Sequence, residues 1–196
     1  MKAGSTVANT QQEGTVLVPV RTIPGVAKTL LALALFALVY GADQWVKHLV
    51  ETTMTVGQTI TVIDGLLWWR YYLNLGAAFS MGEGSTWLFT LISTVGALVA
   101  LTLLVRAKTL PWVILLATLA GGIVGNLHDR LFREPGFGIG HVVDYISVPN
   151  FAIFNIADAA ICVSMAAIVL LTFLGYRMDG QREVRADKAK KNEVGV

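Results

Sequence analysis

Asp158 is an aspartate in an otherwise apolar run that ends near Tyr176, with Asn155 three residues before it in FNIAD, residues 154–158. On the mild insertion scales a carboxylate in lipid costs about 2.5–3.5 kcal/mol, so its presence there needs a return. Asp43 and Asp129 stand at the ends of other apolar runs, and Asp144 lies in the polar stretch just before FNIAD. Two carboxylates close together in a low-dielectric place cannot both ionise, so they share one proton. The ionised member can draw a proton from water as it attacks a peptide carbonyl, while the protonated member polarises that carbonyl. Such a pair hydrolyses a peptide with no metal and no nucleophilic side chain.

Other hydrolytic schemes fit these residues less well. A serine or cysteine mechanism wants a base beside its nucleophile, and Cys162 sits one helical turn beyond Asp158 with no histidine in that run. A lone cysteine of this kind reads as a small buried core residue. A zinc site wants closely spaced ligands, whereas His48, His128 and His141 are scattered and read as helix-end or loop residues. GIGH, residues 138–141, stands where the GxGD motif of other intramembrane aspartyl proteases would place an acid. The expectation is no metal and no cofactor.

The elements that must carry these acids are membrane spans. Of the 196 residues, 55% are hydrophobic and 14% charged, against about 25% charged in soluble domains. Four helices are expected over 28–50, 86–105, 109–127 and 151–176, all within one membrane domain, 28–176. The uncharged stretch 29–42 is too short to span alone, so the first helix continues through DQWVK and takes Asp43 and Lys47 with it. Their i, i+4 spacing suits an ion pair, with Lys47 expected to snorkel outward. Tyr40 at the end of that run fits a leader cleavage site poorly, so the first helix is expected to be retained.

Residues 1–27 read as a flexible lead-in and 177–196 as a basic, disordered tail. Eleven of the 15 lysines and arginines fall in the N-terminal segment, the 106–108 turn and the tail. By the positive-inside rule both termini are cytoplasmic. At 1.5 Å per helical residue, Asp43, Asp129 and Asp158 then lie about 22, 31 and 28 Å above the inner boundary. All three reach the outer edge of a core about 30 Å thick, where Asp144 can join them.

The outer segments are 51–85 and 128–150. In the first, QTITVI reads as a strand, Asp64-Gly65 as a hairpin turn and LLWWRYYL as the return strand. Trp68, Trp69, Tyr71 and Tyr72 would form an aromatic belt at headgroup level. Taken singly, GAAF and AGGIVGN read as helix-packing runs, HVVDYISV as an exposed strand, and Asp129-Arg130 as a helix-end ion pair. Taken jointly, at one depth, they read as a site.

The order DQWVK (43–47), NLGAAFS (74–80), GNLHDR (125–130), VVDYI (142–146) and FNIAD (154–158) closely resembles the lipoprotein signal peptidases, the type II signal peptidases of bacteria. Their pattern is DQxxK, NxGAAF, GNxxDR, VVDF and FNxAD; Tyr145 stands where phenylalanine is common. The resemblance covers about residues 28–176 and none of the tail. It implies an all-α integral membrane aspartyl peptidase of four helices, with a small extracytoplasmic β-rich cradle and a mobile loop, active at the outer face of the cytoplasmic membrane. Its substrates would be diacylglyceryl-modified prolipoproteins, cut just before the lipidated cysteine. Asp144 and Asp158 would be catalytic. Asn126, Asp129 and Arg130 would order the site and hold substrate backbone, while Asp43, Lys47, Asn74 and Asn155 would support the cleft. Membrane lipids would surround a monomer that has no nucleic-acid partner.

Two other readings compete. A small proton-coupled transporter also needs membrane acids, but transporters set their sites near the midplane and the inner halves of these helices carry none. A non-enzymatic lipid-binding subunit would explain the aromatic hairpin without requiring both Asp144 and Asp158.

Overall fold

The computed structural model describes residues 14–76 and 86–186. Four helices are long and apolar enough to cross a membrane: α1 (Gly25–Thr53), α2 (Thr86–Arg106), α3 (Leu110–Phe132) and α4 (Ile156–Phe173). The helix α3 is central, packing against each of the other three. Its small residues allow this. A Cβ on Gly121 would lie 3.0 Å from the Phe36 carbonyl of α1, and one on Gly122 would lie 2.7 Å from the Ala157 carbonyl of α4. AGGIVGN is therefore a packing seam, as its small residues suggest. Below it, Trp112, Val113, Leu116, Ala117 and Ala120 of α3 form a buried core with Ala100 and Leu104 of α2.

Two small sheets close the bundle at opposite ends, so the fold is mostly helical rather than purely so. At the acid-bearing end, β2 (Thr59–Ile63), β3 (Leu67–Asn74) and β4 (Val142–Ser147) form an antiparallel sheet in the order β2-β3-β4. The Asp64-Gly65 hairpin turn is present, with Gly65 at φ 70°, a conformation glycine adopts without penalty. HVVDYISV is indeed a strand, but a buried one: Val142, Val143, Asp144 and Tyr145 are all covered. The aromatic cluster also turns inward. Tyr71 packs with Val50, Met54, Val143 and Tyr145, and the Trp69 ring lies 5.6 Å from that of Tyr145. These rings are core beneath the sheet as much as an interfacial belt.

At the other end β1 (Thr15–Pro19) pairs antiparallel with β5 (Gln181–Arg185), Thr15 opposite Arg185 and Pro19 opposite Gln181. This corrects the flexible lead-in and disordered tail over 15–19 and 181–185 only; residues 1–13 and 187–196 of those two segments lie outside the described residues. Each strand alone is too short to declare itself, and the pairing joins parts of the chain that are far apart in sequence. Backbone bonds from Val20 N to Gly180 O, Ile23 N to Lys108 O and Lys108 N to Met178 O fasten the sheet to the helix ends. Helix limits move as well. The third helix continues past 127 to Phe132, which makes Asp129 and Arg130 helical, and the fourth begins at Ile156 rather than 151. Residues 77–80 of NLGAAFS, and with them the loop expected to be mobile, lie outside the described residues.

If α3 and α4 meet at Gly122, Gly122→Ala should destabilise the protein by about 1–3 kcal/mol. Gly96→Ala, whose Cβ would meet Ile123 Cδ1 at an ordinary 3.7 Å, should be near neutral. Thermal unfolding in detergent compares them, and equal midpoints would refute the close seam.

Candidate active site

The site is built on the first turn of α4. Asn155 is the N-cap: its Oδ1 accepts from the Asp158 amide at 2.8 Å, and Asp158 Oδ2 accepts from the Asn155 amide at 3.1 Å. This reciprocal capping box satisfies two helix-end donors and fixes the Asp158 rotamer. The other Asp158 oxygen accepts from Asn126 Nδ2 at 2.7 Å.

Asp144 comes from the other side, on β4. Its Oδ1 accepts from Asn155 Nδ2 at 2.7 Å and its Oδ2 from Asn74 Nδ2 at 2.9 Å. One asparagine, Asn155, thus holds both carboxylates, and also donates to Asn126 Oδ1 at 3.1 Å. Burial, and next the charge of Asp158, push the Asp144 carboxyl up to about 7, against the Asn74 and Asn155 hydrogen bonds and the Lys47 charge. A carboxyl raised that far holds a proton near neutral pH.

Beneath the pair lies a buried ionic frame. Lys47 Nζ stands 2.7 Å from Asp43 Oδ2 and 2.7 Å from Asp129 Oδ2, with all three side chains 0% exposed, and donates to Asn126 Oδ1 at 2.9 Å. Lys47 therefore does not snorkel outward as expected. Partners on α3 take its charge instead, and lateral packing against α3 leaves it no path to the headgroups. The two acids in turn hold backbone. Asp43 Oδ1 accepts from the Ala157 amide at 3.0 Å, and Asp129 Oδ2 accepts from the Val143 amide at 3.3 Å. Ala157 precedes Asp158 and Val143 precedes Asp144, so each carboxylate of the pair follows directly on a clamped amide. Gly125 must be glycine here, since a Cβ would sit 2.7 Å from Asp43 Oδ2.

Arg130 turns toward Gly76 O and Asn126 O, both at 3.3 Å. Asp129 pairs with Arg133 at 2.8 Å rather than with Arg130, and Arg133 also pairs with Glu51. Asp43, Lys47, Asn74, Asn126, Asp129, Arg130, Asp144, Asn155 and Asp158 thus all meet in one polar cluster. Two clefts flank it, and Asn74 and Asp158 line both. One, of about 450 Å³, runs past Asn126, Arg130, Ser93, Phe89 and Ile92. The other, of about 390 Å³, is walled by Phe151, Ile153, Phe154, Ala159 and Val163.

Cys162 lines that second cleft and is exposed. This corrects its reading as a buried core residue: its side of α4 faces the open cleft. His128 is also more than a helix-end residue: its Nδ1 shares a 2.9 Å hydrogen bond with the Tyr40 hydroxyl, and its ring packs on Tyr40 and Phe132. Among the described residues no group of His, Cys, Asp and Glu is placed to hold a metal.

Two contributors lie outside the site residues expected from the sequence. Gln44 Nε2 reaches the Gly125 carbonyl at 3.0 Å and Asp129 Oδ1 at 3.1 Å, tying α1 to α3; its place inside DQWVK was the available signal. The Tyr145 hydroxyl accepts from the Ile156 amide at 3.3 Å, which explains a polar ring at a buried strand position.

Comparison with known proteins places this arrangement. The sequence model for the family described as Signal peptidase (SPase) II matches residues 35–174. The chain is 47% identical to the lipoprotein signal peptidase of Leifsonia xyli subsp. xyli over 84% of its own length and 77% of that protein's. With the lipoprotein signal peptidase of Streptomyces coelicolor it shares 42% identity, over 77% of this chain and 73% of that one. The fold is similar to a bacterial membrane enzyme solved by the in meso method at 2.3 Å resolution. The TM-score is 0.67 at 26% identity, over 78% of this chain and 91% of the other. Four spanning helices, a buried carboxylate cluster and a family match across most of that membrane region agree, and the chain belongs to the signal peptidase II family of membrane proteases.

Proposed function

We propose that this protein removes the signal peptide from diacylglyceryl-modified prolipoproteins, cutting just before the lipidated cysteine, with Asp144 and Asp158 as an aspartyl catalytic pair. The observation that carries the reading is Asn155, whose side chain bonds Asp144 Oδ1 and the Asp158 amide while its own amide bonds Asp158 Oδ2. Two acids held from one hub can share one proton.

In this mechanism Asp144 carries the shared proton near neutral pH, hydrogen-bonds the scissile carbonyl oxygen and gives it that proton as water attacks. Asp158, ionised, takes a proton from water as that water's oxygen bonds to the carbonyl carbon. The tetrahedral intermediate collapses when the protonated Asp158 passes its proton to the leaving nitrogen, breaking the C–N bond. Asp144 regains its proton as the carbonyl re-forms, and the pair ends where it began. Arg130 and Asn126, which line the larger cleft beside Asp158, hold substrate backbone. The substrate's acyl chains lie along the apolar wall of Phe151, Ile153 and Val163.

A lipidated substrate stays in the membrane and reaches the enzyme by lateral diffusion, so its cut site arrives at the interface. All acids of the four spanning helices (Asp43, Glu51, Asp129 and Asp158) sit toward the three-stranded sheet. The charge distribution supports placing that end at the outer face of the bacterial cytoplasmic membrane, with both termini cytoplasmic. An acid pathway across the midplane, as a proton-coupled transporter would need, has no residues to form it among the described helices. The mechanism calls on no residue beyond those of one chain, so a monomer suffices as the working unit.

Asp144→Asn and Asp158→Asn should each lower cleavage of a purified lipidated prolipoprotein by about 10³-fold or more, with the unfolding midpoint in detergent retained. Normal turnover by either variant would end the dyad assignment. With the Asp144 proton lost through pH about 7, the acid form of the pair disappears as pH rises. The kcat/KM should therefore fall about tenfold per unit on the alkaline side, and a flat profile to pH 9 would contradict the shared proton. A substrate lacking the diacylglyceryl group should be cut much more slowly than its lipidated form; equal rates would argue against lipid-directed recognition.

A further inference from the structure

A cavity lies at the end of the bundle away from the acids. It encloses about 600 Å³ and is lined by Val20, Arg21, Ile23, Thr109, Leu110 and Tyr176, among others. No acid lines it. The helices α1 and α3 both begin at its rim, α1 after Pro24 and α3 after Thr109, which sets the cavity at headgroup level if those helices span the bilayer.

Three features there suit an anion. The N-terminus of α3 carries the positive end of its helix dipole and unsatisfied amides. Arg21 is exposed on the wall. Thr109 is the N-cap of α3 yet makes no cap bond, and its Oγ1 is buried at 3% residue exposure with no hydrogen-bond partner. A buried hydroxyl without a partner is costly, and a ligand oxygen in the cavity would supply one. Arg106 and Lys108 are exposed on the neighbouring turn, and Lys28 Nζ donates to Val105 O and Ala107 O at its edge.

We infer that this cavity binds an anionic glycerophospholipid, with Arg21 and Thr109 on its phosphate. A free phosphate would leave the apolar wall of Val20, Ile23, Leu110 and Tyr176 unfilled, whereas the glycerol and first methylenes of a lipid cover it. The segment Val20–Pro24, which follows β1, then forms one wall of a lipid site. The site is separate from the carboxylate cluster, and its occupation is independent of the peptidase reading.

The test uses the full-length protein in nanodiscs of phosphatidylcholine with increasing phosphatidylglycerol, and native mass spectrometry to count the anionic lipid retained. Wild type should retain one phosphatidylglycerol in preference to phosphatidylcholine. Arg21→Gln should weaken that binding about fivefold, the worth of one interfacial arginine, and Thr109→Val should weaken it as well. Arg185→Gln, on β5 outside the cavity lining, should leave it unchanged. Both cavity variants should keep the wild-type melting temperature in pure phosphatidylcholine, and Arg21→Gln should keep wild-type prolipoprotein turnover there. Wild-type retention by Arg21→Gln would overturn the proposal. So would an equal loss in Arg185→Gln, which would mean diffuse charge attraction, or full displacement by inorganic phosphate, which would mean a pocket for free anions.

Discussion

The ammonium of Lys47, buried between Asp43 and Asp129, is the interaction on which the rest depends. Moving such charges out of water carries a desolvation cost of several kcal/mol per ion, repaid only by close geometry and full hydrogen bonding. Here both conditions are met: two contacts of 2.7 Å, Asn126 as a third acceptor, and Arg133 and Gln44 on the remaining Asp129 oxygen. The outcome is registry more than stability. The lysine and Asp43 belong to α1 and Asp129 to α3, so the pair fixes the height of one helix against the other. The second oxygens or spare lone pairs of the same acids then clamp the amides of Ala157 and Val143. A fault at Lys47 would be felt at both Asp144 and Asp158 without touching either.

The architecture puts precision where the chain is least regular. Helix α3 supplies a smooth seam of small residues, which lets α1 and α4 approach closely enough for Asp43 to reach the first turn of α4. The three-stranded sheet then delivers Asp144 edge-on, with Asn74 arriving from the neighbouring strand β3 to hold it. Glycine at 122 and 125 is thus as much a condition for the cluster as any polar side chain.

Much of this was legible in the sequence because it is local or spaced along helices. The four spans, the 59–74 hairpin with its Asp64-Gly65 turn, and the gathering of acids at one level follow from apolar run length, turn chemistry and helical rise. The capping partnership of Asn155 and Asp158 is written in their three-residue separation. What was not legible depends on partners distant in the chain. Thr15–Pro19 finds Gln181–Arg185, β4 joins β3, and Lys47 is neutralised by Asp129 on another helix. Hydropathy reads a lysine near a helix end as a snorkelling residue, since the fate of a charge is decided by neighbours the pattern does not contain. Cys162 differs for the opposite reason: apolar surroundings in sequence suggest protein packing, while its side of α4 faces an open cleft.

Asn155 leaves little freedom for variation. Its carbonyl oxygen caps α4, its amide nitrogen secures Asp144, and its backbone fixes Asp158. Aspartate would preserve the cap but set a third negative charge against the pair, and serine would preserve the cap but fall short of Asp144. A compound that drew its affinity from this asparagine and the two acids would be hard to evade by mutation, because the same atoms cap α4 and hold both carboxylates. Escape would have to come through the apolar walls, at Phe151, Ile153 or Val163, where a change of shape leaves the polar cluster intact.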